Sequence, residues 1–245
     1  MLVKSIWMNL EKRVEIFEVH IMETYIKKIA LQYGADVCGI GSIDRFKDAP
    51  EGYSPLDIYS KCKSVIAVGI ALPKGVYEVD SRLIYGHFNA EICTVLDTLE
   101  LKLAKEIERT FNCKAVPIPS DGPYEYWDAE KMTGKGLISM KHTAVLCGIG
   151  SIGKSSLLLN SKYGNRLTVG AVLTDLELKE DPIQPDLCIP GCRKCIDSCP
   201  TQAIKDGSVE QKLCRLNTYG KTAKGFDTVD CNKCRVVCPM KYGAK

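Results

Sequence analysis

Eight of the 13 cysteines lie at or beyond Cys188, in two runs. The first is Cys188-x3-Cys192-x2-Cys195-x3-Cys199-Pro200. The second is a lone Cys214 followed by Cys231-x2-Cys234-x3-Cys238-Pro239. Thiolates two and three residues apart can wrap a compact inorganic core, and a proline after the last one turns the chain away. Eight thiolates suffice for two 4Fe–4S clusters. Paired CxxC units also serve structural zinc, but a CxxCxxxCP run is a cluster grammar rather than a zinc-ribbon one. A disulfide framework fits poorly, because the chain is too long to need staples and carries no secretory signature.

The spacing is close to that of bacterial two-cluster ferredoxins, in which the fourth cysteine of each run ligates the other cluster. Cys188, Cys192, Cys195 and Cys238 are therefore expected to hold one cluster, and Cys199, Cys214, Cys231 and Cys234 the second. Cys188 departs from the pattern, with three residues before Cys192 where two are usual; Ile189-Pro190-Gly191 accommodates the extra one. The other five cysteines (Cys38, Cys62, Cys93, Cys113 and Cys147) read as ordinary buried thiols, since free cysteine behaves as a small hydrophobe.

A second motif, Gly148-Ile-Gly-Ser-Ile-Gly-Lys-Ser155, matches both GxxxxGK[ST] and GxGxxG. Both nucleotide fingerprints need the glycines to open onto a helix whose N-terminal amides cradle phosphate. Here Leu157–Leu159 is strand-like, Asn160–Asn165 is a turn cluster, and Leu167–Leu173 is strand-like again, so a hairpin is expected and nucleotide binding is not. Three glycines still let a backbone approach a bulky ligand. The amides and Lys154 suit a negatively charged or amide-rich group. Gly148, Gly150, Ile152, Gly153, Lys154 and Ser155 are the candidate cofactor-binding residues, with a tight structural turn as the alternative.

The elements that must position these groups are legible in outline. Residues 9–33 read as helix ended by Gly34, with residues 1–21 a helical extension. Val37–Ile40 and Ser64–Leu72 read as strands. Asn89–Thr110 reads as a helix with Asn89 as N-cap and Ile92, Val95, Leu96, Leu99, Leu103 and Ile107 on one stripe. Lys114–Ile118 is a further strand, followed by an irregular, aromatic-rich loop to Gly136 carrying Asp121, Tyr124, Tyr126, Trp127 and Asp128. This alternation argues for an α/β domain over residues 22–182, ended by the DPIQP break, and a double 4Fe–4S ferredoxin-type domain over 183–245. The net charge of +3 is too small to argue for nucleic acid or membrane. No apolar run approaches the roughly 18 residues of a membrane span. Thirteen cysteines and oxygen-labile clusters point to a reducing cytoplasm.

The segment GIGSIGKSSLLLNSKYGNRLTVGAVLTDLEL with the eight-cysteine module resembles epoxyqueuosine reductase and, more distantly, the corrinoid-dependent reductive dehalogenases. GADVCGIGSIDRF, APEGYSPLDIYSKCKSVIAVGIALP and YGHFNAE resemble the same family's opening. The resemblance implies an α/β domain binding base-off cobalamin, followed by a ferredoxin-like domain with two 4Fe–4S clusters. It further implies that electrons pass through the clusters to cobalt, and that the reduced corrin acts on the substrate, in that family a modified tRNA nucleoside. The cofactor does the hard chemistry while the protein positions it, and the glycine loop would lie along the corrin cavity.

Two departures stand out. The family's proton-donating Asp sits in an Asp-x-x-Pro-Val stretch shortly before the glycine loop. This chain has Ser120-Asp121-Gly122-Pro123, farther away and without the Val, so Asp121 is a candidate donor beside His142, which titrates near neutral pH, and Lys141. After Cys238 the sequence shows no helical-repeat extension, and no basic patch stands out, so nucleic acid is not expected as a partner. The expected partners are a cytoplasmic low-potential electron donor and a small-molecule or nucleoside substrate, with no membrane. Two functions remain: a reductase whose clusters feed a cofactor or substrate in the α/β domain, or an electron-transfer partner with neither corrinoid nor catalytic site.

Overall fold

The computed structural model describes residues 21–122, 124–218 and 231–244. The helical extension expected over 1–21 thus lies outside the described residues, Ile21 excepted. Residues 21–32 are helical (α1) and end as the sequence suggests. Gly34 takes φ +106°, and the Ala35 amide reaches back to the Ala30 carbonyl at 3.0 Å.

Four strands form the central sheet: Val37–Ser42 (β1), Ser64–Ala71 (β2), Ala115–Ile118 (β3) and, later in the chain, Leu167–Thr174. They lie in the order β1, β2, Leu167–Thr174, β3, and every pairing is antiparallel. Helices and strands do alternate early in the chain, but without parallel crossovers. Between β1 and β2 lies the short helix Pro55–Ile58 (α2), capped by Ser54 and Asp57 in a capping box.

The sheet is covered on both faces, which is why β2 reads as an unbroken apolar run rather than alternating. Ile66 and Val68 face one way, onto α1 and the long helix Arg82–Phe111 (α3). Val65 and Ala67 face the other, onto the helix Met140–Leu146 (α4) and the glycine loop. Period-two alternation therefore splits the core into two layers.

Helix α3 begins a turn and more before the expected start, so Asn89 is interior and Ser81 is the N-cap. Its buried stripe is Ile92, Leu96, Leu99, Leu103 and Ile107, while Val95 points outward at 54% exposure. Asn112, left-handed at φ 48°, ends it. The aromatic loop folds part of itself into a small hairpin, Tyr126–Asp128 (β4) with Thr133–Lys135 (β5).

The glycine motif forms a hairpin, though with a different partner from the one expected. Ser151–Ile152 (β6) pairs with Leu158–Leu159 (β7), and Leu167–Thr174 (β8) leaves to fill the sheet between β2 and β3. An eight-residue apolar strand with two partners in the sheet outcompetes a two-residue one. No helix follows Gly153, in keeping with the rejection of a phosphate loop.

Beyond residue 182 the described chain consists of short pieces. They are the one-turn helices Lys194–Asp197 (α5) and Lys233–Val236 (α7), the hairpin Ile204–Lys205 (β9) with Ser208–Val209 (β10), and the helix Gln211–Thr218 (α6). α5 carries Cys195, α6 carries Cys214 and α7 carries Cys234, and α5 packs against α7.

A Cβ on Gly150 would lie 2.0 Å from the Leu159 carbonyl oxygen, a backbone atom with no room to retreat. Gly150→Ala should destabilise the fold by about 1–3 kcal/mol, the range for overpacking, measured as a lowered urea midpoint.

Candidate functional site

The C-terminal cysteines lie close enough that several shift one another's thiols, in two sets linked between Cys195 and Cys234. Burial pushes the Cys238 thiol up, and the charges of Cys195, Cys188 and Cys192 push it further. Burial likewise raises Cys195, with Cys188 and Cys192 adding to it. In the other group burial raises Cys214, opposed by the Thr218 hydroxyl and reinforced by Cys199 and Cys231. Cys234 rises to about 11 through burial, with Arg235 opposing and Cys231, Cys214 and Cys195 adding. For Cys199 burial is outweighed by amide donors at Thr201 and Ala203, and its pKa falls.

Among the described residues no group of three or more His, Cys, Asp or Glu side chains is gathered to hold a metal ion. A four-iron core needs room between its thiols. For the second group that room is explicit: a cavity of about 390 Å³ is lined by Cys199, Cys214, Cys231 and Cys234 together.

Two larger clefts adjoin it. One, of about 840 Å³, lies between the Arg45–Tyr53 segment, α4 and the aromatic loop. The other, of about 810 Å³, is walled by the first turns of α3 and the start of β8, with Leu157, Leu158, Leu167 and Val169 as an apolar floor. The two clefts share Ser120, Asp121, Tyr124, Met140 and Lys141. Lys141 also lines the cysteine cavity, so all three spaces meet at this side chain. Its ammonium donates to the Ser156 carbonyl at 2.6 Å, and burial, then the neighbouring Arg235 charge, lower its pKa.

No family model matches the chain. A curated relative, the epoxyqueuosine reductase of Lactococcus garvieae (strain Lg2), is 28% identical over 215 residues, which is 80% of this chain and 57% of that protein. This chain is similar to the epoxyqueuosine reductases. It spans about half the length of the curated relatives it matches. In structure, an epoxyqueuosine reductase crystallised with an epoxyqueuosine-modified tRNA-Tyr stem loop aligns with a TM-score of 0.64 at 20% identity, covering 93% of this chain and 67% of that one. A catabolic reductive dehalogenase aligns with a TM-score of 0.61 at 19% identity, covering 88% of this chain and 31% of that one. The fold of this reductase-like chain is thus shared with both groups.

The sequence-derived candidates fare differently. Asp121 lines both large clefts and accepts a hydrogen bond from the Tyr124 hydroxyl at 3.1 Å. His142 lines the first cleft, its Nδ1 2.7 Å from Ser139 Oγ. Of the glycine motif, Ser155 alone lines a cavity, the one beside the cysteines. Gly148 and Gly150 abut the backbone of Pro182 and Leu159, Gly153 abuts the Leu159 side chain, and Lys154 lies 3.9 Å from Asp206. Ile152 is held in β6. Ser155 apart, these residues pack against their own chain.

Sequence reasoning missed Arg235 and Tyr85, which line the cysteine cavity, because nothing in local spacing brings residue 85 to residue 235. It also missed Glu100, although a carboxylate beside Leu99 on the apolar face of α3 was a visible signal. Glu100 is 1% exposed, and burial, then the charge of Asp97, raise its pKa from 4.5 to about 9, with the Ser120 hydroxyl opposing. Between those two values the folded state holds a proton that the unfolded state has lost, so stability falls as pH rises through the window. Glu100→Gln is free of this dependence. Its stability relative to the wild type should therefore climb between pH 4.5 and about 9 and stay flat below 4.5, as read by urea denaturation.

Proposed function

We propose that this chain is an iron–sulfur oxidoreductase of the epoxyqueuosine reductase-like type. Cys188, Cys192, Cys195 and Cys238 hold one 4Fe–4S cluster, and Cys199, Cys214, Cys231 and Cys234 the other. The observation that carries the proposal is the cavity lined by the second four thiols, which adjoins both large clefts at Lys141. A cluster there would have its electrons' exit beside the space where a cofactor or substrate sits. The donor set fits, since thiolates are the ligands of such clusters. Burial, with neighbouring cysteine charges adding to it, disfavours the thiolate at Cys195, Cys214, Cys234 and Cys238, and a bound metal core would offset that cost.

The 810 Å³ cleft suits a large ligand with an apolar face and polar edges such as a corrin, with its floor of Leu157, Leu158, Leu167 and Val169 and polar side chains such as Asn89, Thr168 and Arg235 around it. A corrin bound there would supply a strongly reducing metal centre. Asp121, His142 and Lys141 are the proton-bearing side chains around the joined clefts. Gly148, Gly150, Ile152, Gly153, Lys154 and Ser155 support such a site from behind, by holding the hairpin against which the cysteine segment docks. No helix among the described residues is long and apolar enough to cross a membrane. Oxygen-labile clusters favour a reducing cytoplasm, with a low-potential protein as electron donor.

Nucleic acid returns as a substrate in this proposal, against the expectation from charge alone. A similar structure holds a modified tRNA stem loop. Beside the first cleft, Tyr124 and Trp127 stack at 5.8 Å and Arg215 lies 4.8 Å over the Trp127 ring. Exposed aromatic rings with a guanidinium form a platform on which an unpaired base can stack. If RNA is the substrate, Trp127→Ala should weaken binding of a stem loop by about 1–3 kcal/mol, the worth of one stacked base, in a fluorescence titration.

The deciding experiment is metal analysis of anaerobically reconstituted protein after incubation with cobalamin. About eight irons and one retained cobalt are expected, with Cys195→Ala and Cys234→Ala each keeping about four irons. Iron without cobalt would favour an electron-transfer protein or another cofactor. Unchanged iron in both variants would overturn the ligand sets, and zinc in place of iron would overturn the clusters.

A further inference from the structure

Glu100 lies in the middle of α3, on the face packed against β8. Buried glutamates are rare without a partner, and no cation pairs with Glu100 or Asp97 among the described residues. Space for the carboxyl is made by β8: a Cβ on Gly170 would fall 1.5 Å from Glu100 Oε1. Its second oxygen, Oε2, is buried and has no hydrogen-bond partner.

Among the described residues, the hydrogen-bonding group that reaches Glu100 is the Ser120 hydroxyl. Ser120 Oγ is 3.2 Å from Glu100 Oε1 and 2.8 Å from Asp97 Oδ1, and the Ser120 amide donates to the same Asp97 oxygen at 2.9 Å. A serine hydroxyl has a single proton to give and accepts through its lone pairs. With that proton directed at the nearer Asp97, the contact to Glu100 is satisfied only if Glu100 donates. A proton on Oε1 supplies the donor. It also leaves Oε2 as a neutral carbonyl, far cheaper to bury unpaired than half of a carboxylate.

Ser120 is not sealed in the core. It lines both large clefts, as does Asp121 beside it. We propose that Glu100 is a stored-proton site for the clefts, a neutral carboxylic acid that passes its proton through Ser120 Oγ to a base bound there. In that transfer the Glu100 O–H bond breaks as Ser120 Oγ takes the proton. The hydroxyl turns from Asp97 toward the bound base and its own proton leaves for that acceptor, Ser120 ends unchanged, and Glu100 ends as a carboxylate that water in the cleft reprotonates by the reverse path. No electrons move.

The groups facing Glu100 are Asp97 and Cys93 from α3, Ser120 from the loop after β3, and Gly170, which titrates nothing, from β8; Asp121 faces Cys93 beyond them. All the ionisable ones are acids, so the pocket favours the proton in place. A reduction that consumes protons would draw on it. That use rests on the reductase reading above, whereas the storage site itself does not depend on the cysteines.

Infrared difference spectroscopy of the whole protein at neutral pH tests the proposal without any substrate or cluster. A carbonyl stretch of a neutral carboxylic acid is expected, lost in Glu100→Gln. On transfer to D₂O the band should shift promptly in the wild type and severalfold more slowly in Ser120→Ala, whose broken link isolates the acid from the cleft. No band beyond that of Glu100→Gln, or exchange unaltered by Ser120→Ala, would overturn it. Either failure leaves the iron count, and with it the cluster reading, untouched.

Discussion

Arg235 stands between Cys234 and Cys238, and its contacts tie the cysteine segment to the rest of the molecule. Its guanidinium donates to the Asn165 carbonyl, the Asn165 side-chain amide returns a bond to the Arg235 carbonyl at 3.1 Å, and the cation lies 5.9 Å from the Tyr85 ring. Around this pair the turn after the glycine hairpin acts as a bracket. The Ala244 amide bonds Ser161, the Gly207 amide bonds Lys154 and the Leu187 amide bonds the Ser151 hydroxyl. Short helices and loops with few apolar residues cannot bury enough surface to hold themselves in place. Their position is borrowed from the hairpin.

That dependence explains why the glycines are where they are. β6 and β7 are two residues long, and they meet closely because Gly150 and Gly153 present no side chain to Leu159. Asn160 completes the turn, donating to the Ile149 carbonyl at 2.6 Å and accepting from the Lys162 and Tyr163 amides. The motif is thus a rigid mount. Its service to a ligand is indirect: Lys141, Leu157 and Arg235 are held where the cysteine cavity and the 810 Å³ cleft meet.

The charges arranged around the cavities divide by location. Cations gather where the cysteines are, with Lys141 and Arg235 on the shared wall. Acids gather where α3 passes under the clefts, with Glu100, Asp97 and Asp121 in sequence from core to surface. Low dielectric makes both groups costly unless used or paired, and the unpartnered Glu100 Oε2 is where that cost is least offset.

Spacing alone was enough to find the strands β1, β2 and β3 and, Val95 apart, the buried stripe of α3, because strand runs and amphipathic periods are local properties of a chain. It was enough, too, to foresee that no helix follows the glycine motif, since no helix-forming run does. Local pattern could not place Asn89 inside α3, because a helix held by tertiary packing extends past its best cap. Nor could it send β8 away from β7, since strand partners are chosen by burial on both faces of a sheet and not by proximity in sequence. The meeting of Lys141, Ser120 and Arg235 around joined cavities, and the burial of Glu100 against Gly170, were likewise decided only by the tertiary structure. Each brings together residues tens of positions apart, and their charges and burial come into being when those segments pack.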